Sequence, residues 1–168
     1  PEKDIEFVPF TDSLGRVLAE DIISDIDMPP FDKTAVDGYA CRRKDLDREL
    51  IINEIVAAGQ LASEPVGEGR CVKIMTGAAM PEGTDWVFMV EDAEEKDGKV
   101  RFAGKAGKDN IAKLGEDIRS GDTVLKAGKI IVPQDIAVMA TVGAVEVAVK
   151  KRPLVAVIST GNELGEPQ

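Results

Sequence analysis

Residues 29–40, with the sequence PPFDKTAVDGYA, restrict the fold of this chain more than any other stretch. The segment lies between apolar stretches, and it has neither the alternation of a core strand nor the spacing of an amphipathic helix. Two prolines stiffen its start, Gly38 frees its backbone, and Asp32 and Asp37 supply carboxylates. This composition predicts a loop that presents polar groups to a ligand. For Asp32 the favoured role is bracing of this loop.

Three further short stretches also place glycine beside hydroxyl or carboxylate side chains. They are residues 75–78 (MTGA), 115–118 (GEDI) and 159–163 (STGNE). A hydroxyl and a free glycine N–H, as at Thr76 and Gly77, can bind an anion or bridge to a metal. The sequence alone also allows a plainer interpretation, in which these are ordinary turns and Asp37 bonds its own backbone.

The charge and composition of the chain exclude two classes of function. Its formal net charge is −10 and its pI is about 4.6, so no basic block is available to neutralise nucleic-acid phosphates. No apolar run approaches the ~18–20 residues that a membrane span needs. We therefore expect neither nucleic-acid binding nor membrane association.

The absence of histidine constrains the chemistry further. It excludes a His-containing metal site and histidine general-base catalysis. Any reaction must use carboxylates, hydroxyls, lysines, backbone N–H groups, or a hard metal held by oxygen ligands. The two cysteines, Cys41 and Cys71, lack the spacing of a metal site, and we expect both to be reduced, buried thiols in a cytoplasmic protein.

Periodicity predicts an α+β chain that is mainly β. Strand patterns occur at residues 5–10, 17–23, 51–57, 71–75, 86–91, 99–102 and 145–149. The pair Asp97-Gly98 suits a type I′ turn, which requires positive φ at both central residues. It predicts a hairpin between residues 86–91 and 99–102.

Two further patterns follow near the end of the chain. Pro133 suits the first helical position and Gly143 suits the end, which predicts a helix over residues 134–142. The continuous apolar run at 154–158 predicts a buried parallel strand. Such a strand needs neighbours on both sides, so we expect it to belong to another α/β domain that is present here only in part.

Together the four motifs resemble the MoeA/gephyrin-E family, the molybdopterin molybdotransferases of molybdenum-cofactor biosynthesis. The family patterns PxFDNSAMDGYA, RIMTGAPxPxGxDxVVxxE, NIRxxGEDI and a strand ending in STGDEL have counterparts here in the same order. These counterparts are residues 30–40, 73–91, 110–118 and 155–164. Asn162 stands where the family has an aspartate, so a role that needs charge does not transfer to it.

The resemblance implies a particular division of the chain. An elongated, discontinuous subdomain would comprise residues 1–24 and 121–152, and a β-rich subdomain, residues 25–120, would be inserted in it. Residues 153–168 would be the first strand and loop of a truncated MogA-like α/β domain. The resemblance thus identifies the chain as an N-terminal fragment.

The resemblance also implies an activity. The intact protein would insert molybdenum from molybdate into adenylylated molybdopterin and release AMP with the help of Mg²⁺. It would act as a homodimer and work beside a MogA-like adenylyltransferase, and this fragment alone would be inactive. Two alternatives remain open: a non-catalytic scaffold or peptide-binding module of the gephyrin-E type, and a paralogue that handles tungsten.

The site residues implied by the resemblance come from all four motifs. The catalytic set is Asp37, Thr76, Asp117 and Glu163. The residues expected to bind the molybdopterin substrate are Thr76, Gly77, Ser159, Thr160 and Gly161. Asp37 and Asp117 are the candidate metal ligands, because carboxylates can lie beside a phosphorylated ligand only when a cation such as Mg²⁺ separates them.

Overall fold

The computed structural model describes residues 4–105, 107–158, 160, 161, 163 and 165. Within these ranges the chain forms twelve strands and one α-helix. In chain order they are β1 (Ile5–Pro9), β2 (Ile22–Ile23), β3 (Lys33–Thr34), β4 (Gly38–Cys41), β5 (Glu49–Val56), β6 (Arg70–Ile74), β7 (Trp86–Met89), β8 (Ala93–Lys96), β9 (Lys99–Phe102), β10 (Ile111–Ala112), β11 (Thr123–Leu125), α1 (Pro133–Thr141) and β12 (Glu146–Lys150). The expectation of a mainly β chain is confirmed. No helix in these ranges combines the length and apolar character needed to cross a bilayer.

The chain divides into two compact units. The first unit contains Pro1–Ile23 and Thr123–Gln168, and the second contains Ser24–Asp122. The two ends of the second unit are joined by backbone hydrogen bonds. The Ser24 N–H donates to the Asp122 carbonyl at 2.9 Å, and the Gly121 N–H donates to the Ser24 carbonyl at 2.7 Å.

The first unit is built on two antiparallel strand pairs and α1. Strand β1 pairs with β12, and β2 pairs with β11. Helix α1 begins at Pro133 as predicted, and the Asp135 carboxylate in its first turn accepts the Val132 N–H at 3.0 Å. The helix is followed by Gly143 in the left-handed region, at φ 71°. Buried side chains from these elements form one apolar cluster: Leu18, Leu125, Ile131, Met139, Val147 and Val149.

The second unit contains a six-stranded sheet in the order β7-β4-β6-β5-β9-β8. All neighbouring strands are antiparallel except β5 and β6, which are parallel. Side chains alternate between the two faces of β4 and β6, and apolar clusters cover both faces. One cluster contains Tyr39, Cys41, Leu46, Leu50, Cys71, Trp86, Phe88 and Val100. The other contains Ala40, Val56, Val66, Val72, Ile74, Ala78, Val87 and Ile111.

The predicted hairpin occurs, but with a different first strand. Asp97 and Gly98 have φ of 52° and 76°, as a type I′ turn requires, and they connect β8 to β9. The predicted strand at 86–91 ends at Met89, because the chain makes a single 3-10 turn over Val90–Asp92 before β8 starts. The prediction that residues 86–91 pair with 99–102 was therefore wrong.

The apolar run at residues 154–158 does not form the predicted strand. These residues have no regular secondary structure, and their side chains are exposed. A parallel strand gains its hydrogen bonds only from neighbouring strands, and the described residues place none beside this run. The interpretation of residues 153–168 as the start of an α/β domain stays a prediction.

Candidate active site

Residues 29–37, called here the central loop, are held against residues 75–78. The rest of the predicted loop, residues 38–40, instead forms the start of the buried strand β4. The Thr34 carbonyl accepts the Gly77 N–H at 2.9 Å, and the Thr34 N–H donates to the Ala78 carbonyl at 3.0 Å. Thr34 is buried, and its hydroxyl donates to the Val36 carbonyl at 2.6 Å. The first two motifs are thus joined through backbone groups, which fixes their relative position.

The other side of the central loop contacts the GEDI motif. The Pro29 carbonyl accepts the Gly115 N–H at 2.9 Å, and the Met28 carbonyl accepts the Asp117 N–H at 3.0 Å. Strand β3 of the central loop also pairs with β10, which places Thr34 opposite Ile111. Three of the four motifs therefore lie side by side in the second unit, with the central loop between the other two.

Asp37 and Thr76 form the closest polar contact between these motifs. Both the N–H and the hydroxyl of Thr76 donate to Asp37 Oδ1, each at 2.7 Å. Both residues are exposed, and the Thr76 N–H and then the Thr76 hydroxyl lower the pKa of the Asp37 carboxyl below its ordinary value. The Asp37 carboxylate accepts hydrogen bonds from a residue far away in sequence. The alternative, in which Asp37 bonds its own backbone in a local turn, is therefore wrong.

Gly38 is required for a reason other than the predicted turn. It is the first residue of β4, and its φ is not in the left-handed region. A Cβ built on it would lie 2.1 Å from the Phe88 carbonyl oxygen of β7. The absence of a side chain therefore lets β4 approach β7 directly after Asp37.

Asp32 braces the central loop, as the sequence predicted. Its Oδ1 accepts the Leu114 N–H at 2.8 Å, and its Oδ2 accepts a hydrogen bond from Lys113 Nζ at 3.0 Å. The Leu114 N–H and, after it, Lys113 lower the pKa of the Asp32 carboxyl. Both oxygens of Asp32 are engaged, so this carboxylate holds the GEDI motif in place.

The two acidic side chains of the GEDI motif, Glu116 and Asp117, have different surroundings. Glu116 Oε2 accepts the Lys113 N–H at 2.8 Å, so this carboxylate closes its own turn. Asp117 is exposed, and its backbone N–H is the group that anchors it to Met28. Gly115 has φ 67°, which an L side chain rarely adopts. Asp117 is therefore the acid of this motif that remains for a ligand.

The free N–H that the sequence suggested at Gly77 is already in use. It donates to the Thr34 carbonyl, and the Thr76 hydroxyl donates to Asp37. An anion bound here cannot take either group without breaking a bond that holds two motifs together. The structure thus assigns these donors an organising role, and their predicted contact with substrate stays a prediction.

The fourth motif lies in the first unit. Thr160, Gly161 and Glu163 are exposed, and Ser159 lies outside the described residues. The prediction that these four residues share a site with Asp37 is not tested by the contacts of either unit.

The donors at Asp37 fit a metal only in part. Among the described residues, no group of three or more Cys, Asp or Glu side chains is arranged to hold a metal ion. Asp37 Oδ1 accepts both hydrogen bonds from Thr76, so Oδ2 is the oxygen of this carboxylate that could bind a metal ion. Mg²⁺ in phosphate sites is often held by one or two carboxylates, with substrate phosphates and water as its other ligands. Asp37 fits that limited role, whereas the second unit alone does not provide a full ligand set.

Sequence reasoning missed two contributors to this site. The motifs assigned no role to Thr34, whose backbone joins the central loop to residues 75–78, or to Lys113, which reaches Asp32. A signal for Thr34 was present, because threonine within a Pro/Asp/Gly-rich loop commonly bonds the backbone two residues on, as its hydroxyl does here. No local pattern pointed to Lys113, since its partner is distant in the chain.

We expect the Thr76→Val variant to raise the pKa of the Asp37 carboxyl. Valine removes the hydroxyl that stabilises the charged carboxylate, while the backbone N–H bond remains. NMR titration of the Asp37 carboxyl carbon measures the shift, and Thr76→Ser, which restores the hydroxyl, is the matched control. An unchanged titration midpoint in the valine variant would contradict this account of the contact.

Comparison with known proteins identifies relatives of this chain. A family model described as the MoeA N-terminal region (domain I and II) matches residues 1–143. A molybdopterin molybdenumtransferase from Staphylococcus aureus (strain Mu50 / ATCC 700699) is 42% identical over 160 residues, covering 90% of this chain and 38% of that protein. One from Haemophilus influenzae is 40% identical over 167 residues, covering 96% and 41%.

A solved structure extends the comparison to the fold. The crystal structure of a molybdopterin biosynthesis moeA protein from Pyrococcus horikoshii OT3 superposes with a TM-score of 0.82 at 41% identity. It covers 88% of this chain and 41% of the other chain. The chain spans about two fifths of the length of the curated relatives it matches. The chain belongs to the MoeA family, and residues 1–143 correspond to its N-terminal region.

Proposed function

We propose that this chain is the N-terminal part of a molybdopterin molybdenumtransferase and that its central loop supplies part of the active site. The observation that carries the proposal is the junction of three motifs at the central loop, where the exposed Asp37 carboxylate accepts two hydrogen bonds from Thr76 that lower its pKa. The substrates would be molybdate and adenylylated molybdopterin, and the product that leaves would be AMP.

The charges at the site support a role for a divalent cation. Both substrates are anions, whereas the chain has a net charge of −10, and Asp37 and Asp117 are exposed carboxylates. Mg²⁺, when bound, would neutralise the repulsion between these carboxylates and the anionic substrate. In this proposal Asp37 and Asp117 hold the cation, while Thr76 orients the Asp37 carboxylate through its two hydrogen bonds to Oδ1.

The remaining residues of the site would come from the fourth motif. We place Ser159, Thr160, Gly161 and Glu163 of one copy opposite Asp37, Thr76, Gly77 and Asp117 of a second copy, in a homodimer.

Residues 1–24 and 121–152 would form the elongated subdomain, residues 25–120 the inserted one, and residues 153–168 the start of the MogA-like domain. A MogA-like adenylyltransferase would supply the adenylylated substrate. The two free cysteines fit the reducing conditions of the cytoplasm.

A chimera tests the activity directly. Residues 1–168 would replace the matching segment of the Staphylococcus aureus relative, so that the chimera has the length of that relative. We expect the chimera to release AMP from adenylylated molybdopterin only when molybdate is present, and the chain by itself to release none. A folded chimera without molybdate-dependent AMP release, beside an active unaltered relative, would refute the proposal.

A further inference from the structure

Two free cysteines lie directly opposite each other inside the six-stranded sheet. Cys41 ends β4, Cys71 lies in β6, and the two residues are partners in the antiparallel register. Both are fully buried, and both side chains belong to the cluster on one face of the sheet. The sulfur atoms therefore share one apolar environment, and nothing in the proposed site uses them.

We propose that Cys41 and Cys71 are an oxidation site that forms a reversible cross-strand disulfide, with a small disulfide as the oxidant. Directly opposed residues of antiparallel strands have Cα atoms ~4.5–5.5 Å apart. Disulfides span Cα distances of roughly 4.4–6.8 Å, so directly opposed positions such as Cys41 and Cys71 fall within the range that a disulfide can bridge.

Burial protects the pair in the closed sheet. It raises the pKa of the Cys41 thiol and of the Cys71 thiol to about 12 each, so little thiolate is present near neutral pH. Strand β4 is also an interior strand, between β7 and β6. Oxidation therefore requires local opening of the sheet, and the pair reacts slowly even though its alignment favours the product.

The reaction with glutathione disulfide balances in two steps. One cysteine thiolate attacks the glutathione disulfide, forms a mixed disulfide and releases one glutathione thiolate. The second cysteine thiolate attacks the protein sulfur of that mixed disulfide and releases the second glutathione. The two protein thiols lose two protons and two electrons, and the electrons reduce one glutathione disulfide to two glutathione molecules.

The cross-link would lie on the strand pair that carries the candidate site. Strand β4 begins directly after Asp37, and β6 ends shortly before Thr76. Cys41 is at the opposite end of β4 from Asp37, so the disulfide would join the two strands without displacing either site residue. Oxidation would thus restrict separation of β4 from β6 while leaving the contact between Asp37 and Thr76 in place.

Equilibration of the 168-residue chain in a glutathione redox buffer tests the proposal. The sequence contains two cysteines, so any intramolecular disulfide joins this pair. Native chain and chain in concentrated guanidinium chloride would be quenched with acid, and the disulfide measured by mass spectrometry. We expect the equilibrium constant for the disulfide to be roughly 100-fold larger in the native chain, since the fold already holds its ends together. We also expect the native chain to approach equilibrium at least ~10-fold more slowly.

Two comparisons make the outcome decisive. Cys71→Ala can form only mixed or intermolecular disulfides, so it identifies the signal of the intramolecular product. A native equilibrium constant equal to or below that of the denatured chain would overturn the proposal, because it would mean that the fold opposes the bond. A native rate equal to the denatured rate would overturn the claim that burial protects the thiols.

Discussion

Replacement of Asp37 by alanine should lower molybdate-dependent AMP release by the chimera at least ~100-fold, because loss of a residue that only supports a metal ligand already costs roughly 10–100-fold and Asp37 is proposed as a ligand itself. The variant removes the ionised carboxylate that Thr76 orients, and with it the ligand proposed for the cation. The initial rate of AMP release at saturating molybdate is the measurement.

The matched control is Asp47→Ala, which removes another exposed aspartate of the same unit that belongs to none of the four motifs. We expect this control to keep the rate of the unaltered chimera. Asp47→Ala should unfold at nearly the same temperature as the parent. Asp37→Ala loses the two hydrogen bonds from Thr76, so it should unfold at a slightly lower temperature while staying folded at the assay temperature. If Asp37→Ala retained the parent rate, the proposed role of the central loop would be wrong, even where the chimera itself is active.

The Gly38→Ala variant, which adds one methyl group beside the site, should strongly lower the stability of the fold. Its Cβ would lie 2.1 Å from the Phe88 carbonyl oxygen and 3.0 Å from Val87 Cγ1, so β7 must move away from β4. Backbone atoms cannot rotate aside as a flexible side chain can. We expect a loss of about 3 kcal/mol in the free energy of unfolding, measured by urea denaturation of the 168-residue chain.

Gly67→Ala is the control for the loss of a glycine as such. A Cβ at this position meets no atom within 4 Å, and its φ is not in the left-handed region. Its unfolding free energy should stay within about 0.5 kcal/mol of the parent, or rise slightly because alanine restricts the unfolded chain. Equal midpoints for the two variants would show that β4 and β7 can separate freely.

Features set by neighbouring residues were predicted well from the sequence. Helix α1 follows from Pro133 at its start and Gly143 after its end, and the turn at Asp97-Gly98 follows from the conformations those two residues allow. Such signals act over a few residues, so they need no knowledge of the rest of the fold.

Features set by distant residues were not predictable in the same way. The order of the six-stranded sheet places β4 between β7 and β6, and no local pattern encodes those neighbours. For example, the 3-10 turn after Met89 ends β7, so β9 pairs in its hairpin with β8 and not with the predicted strand at residues 86–91. The contacts of Asp37 with Thr76 and of Asp32 with Lys113 are equally non-local. The family resemblance placed Asp37 and Thr76 in one site, which is consistent with their contact. The sequence without the resemblance allowed each motif to be a separate turn.

The hydrogen bonds between Ser24 and residues 121–122 affect how easily the length of the second unit can vary. They bring the entry and exit of the second unit to one point, so a chain passing through the first unit is interrupted without being stretched. Closing a polypeptide onto its own starting point costs entropy that grows only slowly with its length. A segment whose two ends already meet can therefore change in length at a small entropic cost, because the separation of its ends stays the same.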